Sequence, residues 1–259
     1  MKIDTHQSST IHRTAIVTGG NRGIGESIAR AFYHHGYHVM IGAQTDTKIA
    51  ENLGERARFQ KTDVRREADC HRLVQKTIEW TGRLDVFINC AGFSAWRSVG
   101  EVDEEFWNLM IDTNLKGVFF GCKAAARHLG KNGCIINISS IAGKRGSANN
   151  SVYCASKFGV NGITQALAKE LGPRGIRVNA VCPVYIATKG LIEALKDEQS
   201  PARGMDIEDY LEKFASENAA LMRLPTGEEI ANACLFLASD AASAITGQCI
   251  NVDCGVLPQ

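Results

Sequence analysis

The sequence predicts a single-domain, doubly wound α/β fold, with a parallel sheet of seven strands and helices on both faces. Three observations carry that prediction. Short apolar, β-branched runs alternate with longer segments whose apolar residues recur about every 3.6 positions. Most of the short runs lack strict in-and-out alternation, as strands buried on both faces do. The length, 259 residues, suits one large α/β domain better than two small ones.

Residues 1–12 are polar and are predicted to be a poorly ordered tail, leaving 13–259 for the domain. Strands are expected at Ala15–Thr18, His38–Ile41, Arg58–Lys61, Val86–Asn89, Cys134–Ile138, Arg177–Val181 and Ile250–Val252. Between them the helical spacing predicts Gly23–His35, Glu67–Trp80, Glu104–Leu129, Val152–Leu171 and Glu228–Ala238. Strand–helix alternation of this kind implies right-handed crossovers. The one long interruption, 185–225, carries helical pieces at Lys189–Lys196 and Ile207–Ala220 around Ser200-Pro201. An excursion after a strand's carboxyl end overhangs the ligand crevice, so this segment is expected to be a substrate lid. Few of its groups can join the sheet, which predicts low local stability.

Composition narrows the function classes. The formal net charge is +1 and the basic residues are scattered, so no field steers the protein toward nucleic acid or an anionic membrane. A small molecule is the expected partner. Nine cysteines without a C-x-x-C pair, mostly in apolar stretches, read as reduced thiols used as small core residues. The seven histidines lack metal-ligand spacing, so no metal is expected. Met1–His12 has no apolar run of signal-peptide length and no stretch approaches the roughly 20 apolar residues of a membrane span. A cytoplasmic location is the resulting expectation.

The first strand runs directly into Thr18-Gly19-Gly20-Asn21-Arg22-Gly23-Ile24-Gly25 and then a helix. Glycine lets backbone approach a pyrophosphate, and a helix N-terminus offers it free N–H groups. Gly19, Asn21, Arg22, Gly23, Ile24 and Gly25 are therefore candidate dinucleotide-binding residues in a fold of the Rossmann type. The second strand leads to Ala43 and Gln44, where an acid would hold the adenosine ribose and repel a 2′-phosphate. No acid stands there, and Arg22 could meet a phosphate, so NADP(H) is favoured over NAD(H). Asp46 lies further along and could still reach a ribose. Asp63-Val64 after the third strand could meet adenine. Asn89, Ala91 and Gly92 after the fourth leave room for the dinucleotide to cross.

Tyr153 and Lys157, four apart on one helix, share a face. A phenol is a poor base at neutral pH, and a fixed ammonium beside it is expected to lower its pKa. The pair is a candidate proton donor and acceptor for a carbonyl oxygen. Ser140, closing the fifth strand, could hydrogen-bond the same oxygen. Asn114 sits within the long helical stretch 104–129, where Asn tends to rearrange local hydrogen bonds.

With these motifs in place, the sequence resembles the short-chain dehydrogenase/reductase family over nearly its whole length, from Thr14 to Gly255. The residues carrying the resemblance are TGGNRGIG at 18–25, Asp63, NCAG at 89–92, Asn114, NISSIAG at 137–143, YCASK at 153–157, and Arg177-Val178-Asn179 with Pro183 and Thr188. The resemblance implies a Ser140–Tyr153–Lys157 triad, with Asn114 holding a water that relays protons through Lys157. It also implies cofactor contacts from Lys157, Tyr153, Pro183, Ile186 and Thr188. Homodimers or homotetramers built through the two long helices and the last strand are implied as well. The 3-oxoacyl-carrier-protein reductases and bacterial sugar or alcohol dehydrogenases look most similar. One departure is Pro183-Val184 where family members usually have Pro-Gly, and the usual selectors after the second strand are missing. An NAD(P)(H)-dependent oxidoreductase interconverting a ketone or aldehyde and an alcohol is the expected function. The alternative is a dinucleotide-sensing or scaffold protein on the same fold. Ser94, Trp96, Arg145, Asn150 and Tyr185 are candidates for the substrate pocket.

Overall fold

The computed structural model of the chain describes residues 12–258. Its strands are β1 (Thr14–Thr18), β2 (His38–Ala43), β3 (Ala57–Lys61), β4 (Val86–Asn89), β5 (Cys134–Ile138), β6 (Arg177–Pro183) and β7 (Cys249–Val252). All pair in parallel, in the order β3-β2-β1-β4-β5-β6-β7. The chain winds outward from β1 to β3, crosses back to β4 and continues to β7. Strands β1 and β4 are therefore neighbours whose following loops part in opposite directions, which opens a crevice at their carboxyl ends.

The helices are α1 (Gly23–His34), α2 (Ile49–Leu53), α3 (Glu67–Thr81), α4 (Glu104–Ile111), α5 (Gly117–Ala126), α6 (Ser151–Leu171), α7 (Lys189–Leu195), α8 (Ile207–Asn218) and α9 (Gly227–Ala238). Helices α1 and α9 cover one face, where Ala15, Val17, Ile28, Phe32, Ile88 and Ile230 pack together. Helices α3, α5 and α6 cover the other, around Ile16, Leu73, Phe87, Cys122 and Val160. Adjacent strand residues such as Val17 and Ile16 thus enter different cores, which is why the strands read as unbroken apolar runs. All nine cysteines are unpaired, and six of them are buried. Burial pushes the thiols of Cys70, Cys90 and Cys122 up to about 12, so they behave as packing groups.

The seven strands fall where expected, with β2 and β6 each two residues longer. Two helical expectations are corrected. The five-residue α2 lies in a stretch that reads as loop, being too short to show a period. The single helix expected at Glu104–Leu129 is instead α4 and α5 joined by a π-helical turn, Asp112–Lys116, and it ends at Ala126. Asn114 sits in that turn, in keeping with its expected disturbance of the helical hydrogen bonds. The expected tail lies outside the described residues except for His12, whose ring meets His38 edge-on.

The segment 185–225 forms a cap at the carboxyl edge, and it brings a core of its own. Leu195, Ala202 and Leu211 bury themselves against Trp96, with Tyr185 and Tyr210 packed alongside. Val184 and Phe214 join a second cluster with Ile141, Ala219 and Val256. The cap is also latched: the Ser98 N–H donates to Gln199 Oε1 (2.5 Å), Gln199 Nε2 donates to Glu101, and Asn149 Nδ2 donates to the Gln199 carbonyl (3.1 Å). As expected, few of its groups join the sheet, and small local cores substitute for it.

Candidate active site

The crevice is held open by close backbone contact between its walls. Gly19 (φ +68°) follows β1, and a Cβ there would lie 2.8 Å from the Ala91 Cα beyond β4. Thr18 ties the two loops together, its Oγ1 accepting from the N–H groups of Cys90 (3.0 Å) and Ala91 (3.2 Å). A Cβ on Gly25 would collide with the Gly19 carbonyl oxygen, so glycine is required for this turn into α1. No side chain caps α1, which leaves its first N–H groups facing the crevice. Gly23 (φ +54°) faces Thr188, whose Cγ2 would be 3.3 Å from an added Cβ. Asn21 Nδ2 donates to the Thr45 carbonyl (3.0 Å), which joins the glycine loop to the end of β2. A cradle of glycine backbone with an uncapped helix end fits a dinucleotide pyrophosphate.

Past the ends of β2 and β3 lies a cavity of about 670 Å³, lined by Gln44 and by Thr45, the residue whose carbonyl Asn21 of the glycine loop holds. Asp63 lines it, and its carboxylate is already held by Arg65 (2.7 and 2.9 Å), which keeps its pKa below the usual range. Ala43 ends β2 buried and without an acidic neighbour on the strand. Asp46, further along, accepts from the Lys48 N–H (2.8 Å) and faces its ammonium at 3.7 Å. Arg22 is exposed and does not line the cavity. Lys61, Arg66 and Arg72 do, and reasoning from the sequence misses all three. Their spacing around Asp63 carries no signal until β2 and β3 are laid side by side.

Asn89 has partners for its amide within the fold. Its side chain turns into the helix side of the sheet, donating to Asn137 Oδ1 (2.9 Å), and Asn137 Nδ2 in turn donates to Thr164 (2.9 Å). At 2% exposure only its backbone remains for a ligand. Asn89 Nδ2 also donates to Cys122 Sγ (3.4 Å), and Gly121 leaves the space its Oδ1 occupies.

The chemical groups meet one strand over. After β5 the chain makes a short 3₁₀ turn, Ile141–Gly143, which docks on α6. Asn161 Nδ2 donates to the Gly143 carbonyl (2.9 Å) and Ser139 Oγ to the Lys157 carbonyl (3.3 Å). This fixes Ser140 against the face of α6 that carries Tyr153 and Lys157. Ser140 Oγ accepts from the Ala142 N–H (3.1 Å) and donates to the Pro183 carbonyl (3.4 Å). Lys157 is 7% exposed; its Nζ donates to the Ile138 carbonyl (2.9 Å) and lies 5.6 Å from the centre of the Tyr153 ring. Asn114 is fully buried, its amide paired with the Phe93 backbone in both directions (2.8 and 3.0 Å). A Cβ on Gly92 would sit 2.9 Å from Asn114 Oδ1 and 4.0 Å from Lys157 Nζ, so these two groups flank one small gap.

Burial reverses the expected electrostatics. Desolvation pushes the Tyr153 phenol up to about 12, against the pull of the Ser140 hydroxyl. The same effect brings Lys157 down to about 8. The sequence leads one to expect the ammonium to dominate, but it is itself stripped of water and turned toward the Ile138 carbonyl. Tyr185 packs against Phe214, with ring centres 4.8 Å apart, and its hydroxyl is pushed up by burial and by Tyr210. Trp96, at 3% exposure, belongs to the core of the cap. Asn150 is buried beside Tyr153's helix turn, with Oδ1 lacking a partner among the described residues.

Comparison with known proteins places this geometry among relatives. Residues 19–257 match a family model described as Enoyl-(Acyl carrier protein) reductase. The 3-oxoacyl-[acyl-carrier-protein] reductase FabG of Chlamydia muridarum is 38% identical over 261 residues, spanning 96% of this chain and 99% of its own length. (+)-Borneol dehydrogenase 2 of Salvia officinalis is 38% identical over 253 residues, 94% of this chain and 88% of its own. Among solved structures, a tryptophan variant of actinorhodin polyketide ketoreductase with NADPH superposes with a TM-score of 0.86 at 31% identity, covering 95% of this chain and 97% of that one. Ligand-free aldohexose dehydrogenase from Thermoplasma acidophilum gives 0.85 at 30% identity, covering 96% and 98%.

Proposed function

From the premise that the chain belongs to the short-chain dehydrogenase/reductase family, we propose that it interconverts a ketone or aldehyde and an alcohol with Tyr153 as the acid/base. The observation that carries this reading is the docking of the Ser140 turn on α6, which gathers Ser140, Tyr153 and Lys157 beside the crevice. The nicotinamide cofactor, when bound, supplies or accepts the hydride. The Tyr153 hydroxyl donates its proton to the carbonyl oxygen in reduction and takes it back in oxidation. The Ser140 hydroxyl donates a hydrogen bond to the same oxygen and stabilises charge developing there. Lys157, brought down to about 8 by burial, resupplies the proton to Tyr153. Asn114 positions the Phe93 backbone and, with Lys157, bounds the gap a relaying water would occupy.

NADP(H) is the favoured cofactor. Ala43 removes the acid that would repel a 2′-phosphate, and Asp46 is turned toward Lys48. The ketoreductase relative holds NADPH. Gly19, Asn21, Gly23, Ile24 and Gly25 cradle the pyrophosphate, while Ile186 and Thr188 flank the nicotinamide end. The cap 185–225 covers a small-molecule substrate. Trp107 on α4, Phe119 on α5 and Phe158 on α6 are all more than 40% exposed, an apolar face suited to pairing with a second copy in a homodimer or homotetramer.

A screen at 340 nm tests the reading. Ketones, aldehydes and alcohols are offered with NADPH and NADH, and an enoyl thioester is included because the matched family model is named for that reaction. Turnover of a carbonyl is expected, and Tyr153→Phe should lower it at least ~100-fold while cofactor binding survives. Near-normal turnover in that variant would remove Tyr153 from the chemistry. Cofactor binding without turnover of any class would favour a dinucleotide sensor.

A further inference from the structure

We propose that Lys61 and Arg66 read the 2′-phosphate of NADP(H), a deepening of the cofactor preference above and resting on it. The sequence shows why NADP(H) is not repelled, since Ala43 replaces an acid, but no arginine directly follows Ala43 to attract the phosphate, and Lys48 further along is paired with Asp46 and Glu51. The geometry supplies a cation from the next strand.

The charges in the cavity beyond β2 and β3 do not balance. Two of its lining groups are carboxylates, and both are taken. Asp63 is held by the Arg65 guanidinium through both oxygens. Asp69 accepts from Arg72 with one oxygen and from the Asp63 N–H with the other (3.0 Å). Lys61 and Arg66 line the same cavity, and among the described residues neither side chain is in a hydrogen bond or a close ion pair, Arg66 acting on Asp63 only at longer range. That leaves about two positive charges facing the opening, where a phosphate monoester carries between one and two negative charges near neutral pH.

Placement agrees with the charge. Lys61 ends β3, in register with Ala43, the last residue of β2. Ala43 is therefore the position where an acid would meet the ribose, and Lys61 is its direct neighbour across the sheet. Gln44 and Thr45 join the cavity to the glycine loop through Asn21, so an adenosine leaving the pyrophosphate cradle reaches this wall next. Arg22, the cation the sequence suggests, is not part of that wall. Arg66 opens α3, and its guanidinium can grip a phosphate through two N–H groups, whereas Lys61 acts as a point charge.

The test measures binding directly, by fluorescence titration of the whole protein with NADPH and NADH and by calorimetry with 2′,5′-ADP and 5′-AMP. Wild type should bind 2′,5′-ADP at least ~10-fold more tightly than 5′-AMP. Lys61→Gln and Arg66→Gln should each weaken NADPH and 2′,5′-ADP about 10-fold, and the double variant about 100-fold, with NADH and 5′-AMP affinities retained. The salt dependence of 2′,5′-ADP binding should flatten in step. Thermal melting checks that each variant folds, and both side chains are exposed enough for the substitution to be benign. If wild type favours NADPH while the double variant keeps that preference and Arg22→Gln loses it, this assignment fails and the NADP(H) reading stands. If wild type binds 2′,5′-ADP and 5′-AMP alike, the NADP(H) reading itself fails and takes the assignment with it.

Discussion

At the scale of single residues, the active centre is a case of desolvation overriding pairing. Lys157 is buried with a charge, hydrogen-bonded to the Ile138 carbonyl and brought down to about 8. Its value in the unfolded chain is near 10.5. Below pH 8 the lysine is protonated in both states, so the folded state bears the whole desolvation cost. Between pH 8 and 10.5 the unfolded chain binds more protons, so stability rises with pH and the cost is relieved. Lys157→Met should therefore be inactive yet more stable than wild type at pH 7, by up to about 3 kcal/mol. Thermal midpoints measured from pH 7 to 10 should show wild type closing that gap. A constant gap would mean that the lysine is not held in the state its burial implies. A stability sacrifice of this kind at one side chain is common where function requires a strained or desolvated group.

At the scale of elements, the candidate site is shaped by two local departures from regular structure. The turn from β1 into α1 closes only because Gly25 has no side chain to strike the Gly19 carbonyl. Gly25→Ala should open that turn, weakening cofactor binding at least ~10-fold in a fluorescence titration and costing about 1–3 kcal/mol of stability. Retained affinity would show that the cradle is not where the cofactor sits. The second departure is the π-helical turn at Asp112–Lys116, which carries Asn114 inward to the Phe93 backbone. An unbroken helix would rotate every later residue of α5, including the face that covers Cys122 and Phe87.

At the scale of the whole molecule, the exposed Trp107, Phe119 and Phe158 make assembly a prediction about α4, α5 and α6 together. Phe158→Glu should shift the protein toward monomer in sedimentation velocity, because a charge would be desolvated at the centre of an isologous contact. An unchanged sedimentation coefficient would place any interface elsewhere. The cap is the other large-scale feature. It is held by two small cores and by a few polar contacts around Gln199 rather than by the sheet, so its opening is expected to respond to ligand. Hydrogen exchange across Leu191–Leu221 should slow when cofactor and a substrate analogue are added together. Equal protection with and without ligand would make the segment a fixed wall, with substrate entering by another route.

The sequence by itself determined the architecture and singled out the candidate reacting groups. Each strand, four of the five long helical stretches, the glycine turn and the Tyr153–Lys157 spacing follow from interactions within a few residues of one another. Hydrophobic periodicity and backbone sterics act over that range, so they are written locally. Only the tertiary structure decided which groups those residues would meet. That Asn89 commits its amide to Asn137, that Asp63 is already claimed by Arg65, and that Lys61 stands beside Ala43 all depend on how strands and helices pack. The cap shows the same division: its helical pieces are legible, but the small cores that hold them need Trp96, Ile141 and Val256 from elsewhere. The Tyr153 and Lys157 titrations are the clearest instance. Their pairing is local and visible in the sequence, whereas their burial is a property of the whole fold, and in a low-dielectric site burial outweighs pairing.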